Sequence, residues 1–237
     1  MARPAGIKGE QTRQRILASS LALFARSGYA AVSMREIALD VGVGAGALYN
    51  HFTTKQHILM AIMEDHMRTL LSAYSASTYS ANTKVGREDA QTQLEAFVRF
   101  HISYHVALPN EVFLSYMELR ALEPANFKII EALRRNYETI LKDILTLGVQ
   151  QRQLACDDIH VSAMAILAML TGVTSWFRQQ GRLTRPEIES IYVSLVMRSV
   201  AAPMADKIVG QKARQNQEQN NNRSQKITPI EGKQAHV

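Results

Sequence analysis

The chain lacks the features of a disulfide-stabilised, secreted or membrane-inserted protein. Its 237 residues include one cysteine, Cys156, which excludes an intramolecular disulfide framework. No N-terminal stretch has the apolar core of a signal peptide, and no apolar run is predicted to be long enough to span a bilayer. We therefore expect a cytoplasmic protein without a membrane segment, in which Cys156 is an inert, partly buried thiol rather than a redox sensor.

Motifs that carry catalysis are also missing. The sequence has no nucleophile elbow, phosphate loop or paired-carboxylate pattern. The glycines at 42, 44 and 46 resemble a dinucleotide-binding loop only superficially, because no strand is predicted before them and the third spacing is wrong. His101 and His105 lie one helical turn apart, as two metal ligands would, but no acidic or cysteine partner is suitably spaced. Core or pocket histidines are favoured, and we predict no enzyme, metal site or cofactor.

Charge is distributed unevenly along the chain, although its sum is only +6. Residues 1–15 carry a net charge of +3 and residues 203–237 carry another +3, so the residues between them are neutral overall. Basic ends on a neutral body suit a polyanionic partner such as nucleic acid, or are merely solvated. The last 35 residues are polar and lack periodicity, which predicts disorder.

Helical periodicity dominates the rest of the chain, and the alternation typical of strands is almost absent. This pattern predicts an all-α fold. A first helix is predicted to end at Gly28, and a second to run from a capping box at Ser33 to Gly42. A short helical segment follows at Gly44–Phe52.

Longer helices are predicted downstream. One begins at Thr53 or Thr54 and is predicted to end at Tyr74, before a polar loop at residues 75–89. Proline and glycine mark the boundaries of the others. These further helices are predicted at 90–107, 109–122, 124–151, 157–180 and 184–200.

Residues 33–55 contain two short helices joined by a glycine-containing turn, the pattern of a helix-turn-helix. The second helix begins with the small residues Ala45, Gly46 and Ala47, which allow close approach to the major groove of DNA. The side chains of Tyr49, Asn50 and His51 can then reach base edges or phosphates, although Tyr49 and His51 would also fit the core of a small domain.

The same stretch resembles the TetR family of bacterial repressors. The likeness is carried by Ser33-x-x-x-Ile37-Ala38-x-x-Val41-Gly42-Val43 and by Leu48-Tyr49-x-His51-Phe52-x-x-Lys55-x-x-x-Leu59, with Leu23-Phe24-x-x-x-Gly28-Tyr29 upstream. It covers roughly residues 10–60. Two positions depart from the family pattern: Val41 stands where alanine is usual, and Gly44 where a serine or threonine usually caps the helix.

The resemblance implies a dimer that binds double-stranded operator DNA with two-fold symmetry. It implies a three-helix DNA-binding domain at residues 1–55, a helical effector-binding and dimerisation domain at 56–202, and a polar tail at 203–237. Ser33 and Lys55 would contact phosphate, and Arg35 would reach a base. The full predicted DNA-binding set is Ser33, Arg35, Ala45, Gly46, Ala47, Tyr49, Asn50, His51 and Lys55.

The helical body offers candidates for an effector cavity and a dimer interface. Arg120 lies among apolar positions where an unpaired charge is costly, so Glu118, Glu123 or an anionic ligand is expected to pair with it. The small-residue strip Ala165, Ala168 and Gly172 suits close packing between subunits or within one chain. Met and aromatic residues are more often core than pocket, but the cavity candidates are Phe113, Tyr116, Met117, Arg120, Tyr137, Met164, Trp176 and Phe177.

Residues 116–122 and 176–183 resemble the branch of the TetR family that senses acyl-CoA thioesters. This resemblance implies that a small hydrophobic effector releases the DNA, namely a medium or long acyl-CoA of lipid or aromatic-acid catabolism. Two alternatives remain. One is a repressor of a drug-efflux gene that senses hydrophobic compounds, and the other is a helical protein-interaction module that does not bind DNA.

Overall fold

The computed structural model describes residues 5–81 and 89–202, and most of these residues are helical. Within them there is no strand, only an isolated bridge between Leu154 and Ala201. The all-α prediction is confirmed. A 3-10 turn at Leu119–Ala121 separates the sixth and seventh helices. The helices are α1 (Ala5–Ser27), α2 (Met34–Val41), α3 (Ala45–His51), α4 (Lys55–Ala81), α5 (Ala90–Ala107), α6 (Pro109–Met117), α7 (Pro124–Gln150), α8 (Ile159–Thr171), α9 (Val173–Trp176) and α10 (Arg185–Ser199).

Local backbone chemistry sets the boundaries of the first three helices. α1 stops at Gly28 (φ 80°) and α2 at Gly42 (φ 72°), both in the left-handed region that disfavours a Cβ. The predicted capping box starts α2: the Ser33 hydroxyl accepts from the Glu36 amide at 3.2 Å, and the Glu36 carboxylate accepts from the Ser33 amide at 2.7 Å. These bonds hold the pKa of Glu36 below its usual range. α3 follows Gly44, which offers no side-chain cap.

An N-terminal core joins the first four helices to α6 and α7. Phe24, Ile37 and Leu48 are fully buried in it, together with Leu114 of α6 and Ile130 of α7. The apolar packing therefore continues past residue 55, the predicted boundary between the first and second domains. Because of this shared core, α1, α2 and α3 are attached directly to the middle of the chain.

A second core fills the space between α4, α5, α7, α8 and α10. The rings of Tyr74, Phe97 and Tyr137 meet in it with centroids 5.4–6.3 Å apart. α4 contributes to both cores, because Met63 packs in the first and Met67, one turn later, in the second. α4 is thus the element that runs from the first three helices, in the N-terminal core, into the second core.

The structure corrects the predicted end of α4. The helix continues to Ala81, so residues 75–81 are helical rather than part of a loop. Serine and threonine are tolerated there because the hydroxyls of Ser75, Ser77 and Thr78 donate to carbonyls of the preceding turn, as Ser75 does to Leu71 at 3.0 Å. Residues 82–88 of the predicted loop, and the tail predicted to be disordered, lie outside the described residues, whereas Asp89 is described and caps α5.

Two further helices are shorter than predicted. The helix predicted at 109–122 ends at Met117 and gives way to the 3-10 turn, because the side chain of Glu118 is bonded to another part of the chain. The helix predicted at 157–180 ends at Thr171 and is interrupted at Gly172, and residues 177–180 are not helical. Glycine in a helix interior is destabilising and favours such a break.

α8 and α9 form the most apolar segment of the described chain. By length and composition, residues 159–176 would be able to cross a membrane, contrary to the expectation from the sequence. However, α8 has only 13 residues before the break and spans about 20 Å, less than the roughly 30 Å of a bilayer core. One side, with Ala163, Ile166 and Leu170, is buried in the second core. The other side is largely exposed.

Candidate DNA-binding surface and effector cavity

α3 presents an open surface at its N-terminal end. Ala45, Gly46 and Ala47 are exposed, whereas Leu48 is completely buried and fixes the helix on the N-terminal core. Tyr49 is 49% exposed and Asn50 is also exposed. Neither of these two side chains bonds to another described residue, so both are available to a partner.

The other predicted contact residues differ in how free they are. Arg35 is exposed on α2 and makes no ion pair within the described part of the chain. The Ser33 hydroxyl is also exposed, but it is engaged in the capping box, where it accepts from the Glu36 amide and interacts with the Glu36 carboxylate. His51 is half-buried at the end of α3. The structure thus brings Ser33, Arg35 and the exposed face of α3 onto one helix-turn-helix unit.

Lys55 is in a different environment from the one that the resemblance implies. Its ammonium donates to the carbonyls of Tyr29 at 2.7 Å and Val32 at 2.6 Å, with a longer contact to Ala30 at 3.4 Å. It also lies 4.2 Å from the centre of the Tyr29 ring. Partial burial lowers the pKa of Lys55, and the charge of Glu118 opposes that shift. The ammonium therefore fastens the turn between α1 and α2.

Two polar side chains that the sequence did not single out link the DNA-binding helices to the body. Glu118, directly after α6, accepts a 2.9 Å hydrogen bond from the Tyr29 amide. Gln56, in the first turn of α4, accepts from the Glu123 amide at 3.2 Å and donates to the Ala121 carbonyl. Sequence reasoning considered Glu118 only as a partner for Arg120. No local motif indicates a bond to a residue 89 positions away.

A cavity of about 190 Å³ lies among α4, α5, α6, α7 and α8. Its buried floor contains both polar and apolar side chains, and its rim includes two exposed residues, Tyr116 and Ala168. Arg134 and Glu138 bring one charge of each sign to the wall. The complete lining is His66, Met67, Leu70, His105, Ser115, Tyr116, Arg134, Tyr137, Glu138, Met164, Leu167 and Ala168.

The structure places three of the predicted cavity residues at this site and five elsewhere. Tyr116, Tyr137 and Met164 line the cavity, but the predicted cation Arg120 is exposed on the 3-10 turn and does not. Leu119, Ala121 and Leu122 beside Arg120 do pack against the N-terminal core, but the Arg120 side chain itself is exposed and needs no buried partner. Four other predicted residues also lie outside the cavity lining. Phe113 and Met117 are exposed on α6. Trp176 stacks on Tyr192, and Phe177 packs against the second core.

The cation at the cavity is Arg134 of α7. Its guanidinium lies 4.5 Å from the centre of the Tyr116 ring and donates to the Ser115 carbonyl at 3.3 Å. Within the described residues it has no carboxylate within ion-pair distance. A half-buried guanidinium without a carboxylate partner favours an electron-rich ligand.

Histidines form one corner of the cavity. Burial lowers the pKa of His66 to about 4, with a further contribution from the Arg134 charge, and lowers that of His105 to about 3. Both are neutral at physiological pH. His105 stacks on His101 at a centroid distance of 3.7 Å, and His101 lies 3.2 Å from the Tyr137 hydroxyl. The pair predicted as core or pocket histidines is therefore buried, with one member facing the cavity.

The small-residue strip of α8 is exposed on the protomer. Ala165, Ala168 and Gly172 all face outward, and the larger Val161 and Trp176 extend the strip at its two ends. These five residues follow one another every three or four positions, which places them on one side of the segment. The strip is uncovered, as an interface surface would be in a separated subunit.

Comparison with protein families matches both halves of the chain. A family model described as bacterial regulatory proteins of the tetR family matches residues 16–62. A second, described as a tetracyclin repressor-like C-terminal domain, matches residues 87–200. Together they cover the helix-turn-helix, the strip on α8 and the cavity lining except its three α4 residues, His66, Met67 and Leu70.

Individual relatives are also transcriptional regulators. The transcriptional repressor KstR2 of Rhodococcus jostii is 24% identical over 193 residues, which cover 81% of this chain and 92% of the relative. A solved regulatory protein of the tetR family from Rhodococcus RHA1 is 28% identical, with a TM-score of 0.73, and covers 81% of this chain and 97% of that one. The structure of AibR in complex with isovaleryl coenzyme A and operator DNA is 25% identical, with a TM-score of 0.68, and covers 78% and 97%. With the helix-turn-helix, the helical body and both family models in agreement, this chain belongs to the TetR family of transcriptional regulators.

Proposed function

We propose that the protein is a cytoplasmic repressor that binds an inverted-repeat operator as a homodimer and is released by a small acyl-CoA. The observation that carries the DNA-binding part is the open end of α3. Three small residues leave it free to enter the major groove, and the adjacent Tyr49 and Asn50 have no intramolecular bonds to break first. A protein-interaction module would not need this geometry.

We assign the contacts by the chemistry and exposure of each side chain. Arg35 and Asn50 are the residues for base edges, because both make directional hydrogen bonds and both are exposed. Ser33, Tyr49 and His51 are assigned to phosphates. Lys55 is assigned an indirect role, since its ammonium holds the turn before α2.

The strip on α8 supports the dimer. Val161 is 62% exposed and Trp176 49% exposed, with only alanine and glycine on the same side between them. An uncovered apolar strip of small residues allows two helices to pack closely. A two-fold dimer formed through this strip would carry two recognition helices related by the same axis, and the operator should then be an inverted repeat.

The cavity supports a small effector. Sites for drug-sized ligands occupy about 300–1,000 Å³, and a protein cavity of about 150 Å³ accommodates benzene. A cavity of about 190 Å³ therefore suits an acyl group of about six to eight non-hydrogen atoms. This is shorter than the medium or long chain expected from the sequence. Isovaleryl coenzyme A, the ligand in the AibR complex, is of suitable size to try.

The position of the cavity supports coupling to DNA. His66, Met67 and Leu70 of α4 form part of its lining, and the same helix begins beside the recognition helix. Ser115 and Tyr116 of α6 also line it, only two or three residues before Glu118, which is bonded to the Tyr29 amide. A ligand that displaces α4 or α6 would change the position of the DNA-binding helices. Release requires that the ligand bind the displaced conformation more tightly.

Selection of bound genomic fragments, followed by footprinting, tests this function. We expect protection of two half-sites related by a two-fold axis, and a 5- to 150-fold loss of affinity with isovaleryl-CoA, the range of usual allosteric coupling. Tyr49→Ala should weaken binding to every sequence, whereas Asn50→Ala should also relax selectivity. Protection of one asymmetric half-site by a monomer would overturn the proposed homodimer. Binding with equal affinity to all DNA sequences would overturn the proposed repressor function.

A further inference from the structure

Two buried polar atoms in the cavity lining have no hydrogen-bond partner. They are Nδ1 of His66 and Oγ of Ser115, in residues that are 4% and 1% exposed. Leaving a buried polar atom unpaired is costly, and native proteins satisfy nearly all of them. Two buried polar atoms without a hydrogen bond in the wall of one cavity indicate that a ligand supplies the missing hydrogen-bond partner.

Three other polar groups of the lining have partners within the described structure. The Tyr137 hydroxyl lies 3.2 Å from His101, and the Tyr116 hydroxyl lies 3.1 Å from Thr171. His105 Nδ1 lies 2.8 Å from the His101 carbonyl. The buried side-chain atoms of the lining that lack any partner are thus those of His66 and Ser115, and the guanidinium of Arg134 lies near them, at hydrogen-bond distance from the Ser115 carbonyl.

The local charge at this corner determines the polarity of the partner. The Arg134 charge lowers the pKa of both His66 and His105, whereas Glu138 does not contribute to either shift. Arg134, whose guanidinium donates to the Ser115 carbonyl at 3.3 Å, brings a positive charge to this corner, and Glu138 lines the same cavity. Ser115 can donate one hydrogen bond, and neutral His66 donates one in the tautomer that carries its proton on Nδ1. Two donors beside a guanidinium match an oxygen acceptor.

We propose that the effector carries a carbonyl or carboxylate oxygen at its buried end, held by His66 and Ser115 near Arg134. This inference rests on the proposed effector site and narrows its ligand class. His66 and Ser115 belong to the buried floor, whereas Tyr116 and Ala168 mark the exposed rim. In an acyl-CoA that inserts its acyl group, the oxygen would be on one of the last two acyl carbons, at the end away from the thioester. The apolar middle of the chain would contact Met67, Leu70 and Leu167.

Three CoA thioesters of the same chain length test the proposal: pentanoyl-CoA, 4-oxopentanoyl-CoA and glutaryl-CoA. Their affinities for the full-length protein are measured by calorimetry, with operator release measured in parallel. We expect both oxygenated ligands to bind about tenfold more tightly than pentanoyl-CoA, because only they satisfy the two buried donors. A larger gain for glutaryl-CoA than for 4-oxopentanoyl-CoA would identify the acceptor as a carboxylate.

The variants Ser115→Ala and His66→Leu should each reduce this preference at least threefold, since each removes one donor. Ser20→Ala is the matched control. Ser20 also has a buried, unpaired hydroxyl but packs in the N-terminal part of the chain, away from the cavity. Its substitution should leave the ratio of the three affinities unchanged.

The outcomes separate this inference from the function on which it rests. If pentanoyl-CoA binds as tightly as the oxygenated ligands and releases the operator, the inference is overturned and the acyl-CoA repressor stands. If the preference exists but survives in both variants, the assignment to His66 and Ser115 is overturned. If none of the three thioesters binds, the acyl-CoA effector itself is overturned, and this inference with it.

Discussion

Replacing Lys55 with methionine tests whether this residue anchors a turn or binds DNA directly. Methionine keeps most of the length and apolar contact of the side chain but removes the ammonium. In the structure that ammonium donates to the Tyr29 and Val32 carbonyls at 2.6–2.7 Å and lies over the Tyr29 ring. We therefore expect Lys55→Met to destabilise the fold and to leave the number of phosphate contacts unchanged.

The magnitude follows from these contacts. Hydrogen bonds from a charged group contribute about 1.5–3 kcal/mol, and a cation over an exposed aromatic ring contributes about 0.5–1 kcal/mol. Lys55 is only partly buried, so water replaces a substantial share of what is lost. We expect the free energy of unfolding to fall by about 1–2 kcal/mol, as measured by urea denaturation.

The decisive measurement is the salt dependence of operator binding. Each phosphate contact adds about 0.9 to the slope of log K against log salt. A slope that is unchanged in Lys55→Met, with reduced stability, supports the anchoring role. Arg35→Met is the matched control, because Arg35 is exposed and unpaired: it should lose operator affinity without losing stability. A slope reduced by about 0.9 in Lys55→Met, at unchanged stability, would refute our reasoning and restore the phosphate contact.

Three further predictions concern the body. Gly148→Ala should lower the free energy of unfolding by about 1–2 kcal/mol in urea, because its Cβ would lie 2.6 Å from Leu154 Cγ and overpacking outweighs the gain in helix propensity. The pKa of His66 in the folded protein, about 4, lies below its ordinary value, so the unfolded chain takes up the proton first. Stability should then fall as the pH drops below about 6.5; His66 contributes about 2 kcal/mol of that fall at pH 5, His101 and His105, whose pKa values are also lowered, add to it, and His66→Leu should remove only the His66 share. Arg134→Met should weaken glutaryl-CoA binding about tenfold by calorimetry, whereas Arg120→Ala, exposed outside the cavity, should not; the reverse result would restore Arg120 as the effector's cation.

The sequence predicted the DNA-binding helices well because their signals are local. The capping box at Ser33, the turn at Gly42 and the apolar Leu48 each act within a few residues of their own position. Periodicity likewise predicted α5, α7 and α10 to within about two residues at each end. The same logic failed for α4, where residues 75–81 are polar by composition but their hydroxyls bond to the helix's own carbonyls.

The cavity was harder to predict because its lining depends on where α6 ends and how it is rotated. Phe113, Tyr116 and Met117 belong to one short helix, and of these three only Tyr116 lines the cavity, at its rim. Helical spacing alone does not determine which of several Met or aromatic side chains on one helix lines the cavity. Arg134 was missed for a related reason: on sequence alone it is one cation on a long helix with charged neighbours, and only its contact with Tyr116 identifies it.

The connection between cavity and DNA-binding helices is short through α6 as well as through α4. Ser115 lines the cavity, and three residues later Glu118 accepts a hydrogen bond from the Tyr29 amide, which belongs to the turn that Lys55 holds. α6 ends at Met117 because the chain turns there to make these contacts, so the break that disagreed with the predicted helix is also the point of attachment. A ligand oxygen at Ser115 would therefore act within one helical turn of the bond to the DNA-binding helices. Through α6, binding of the effector could therefore change the position of α3 without any bending of α4.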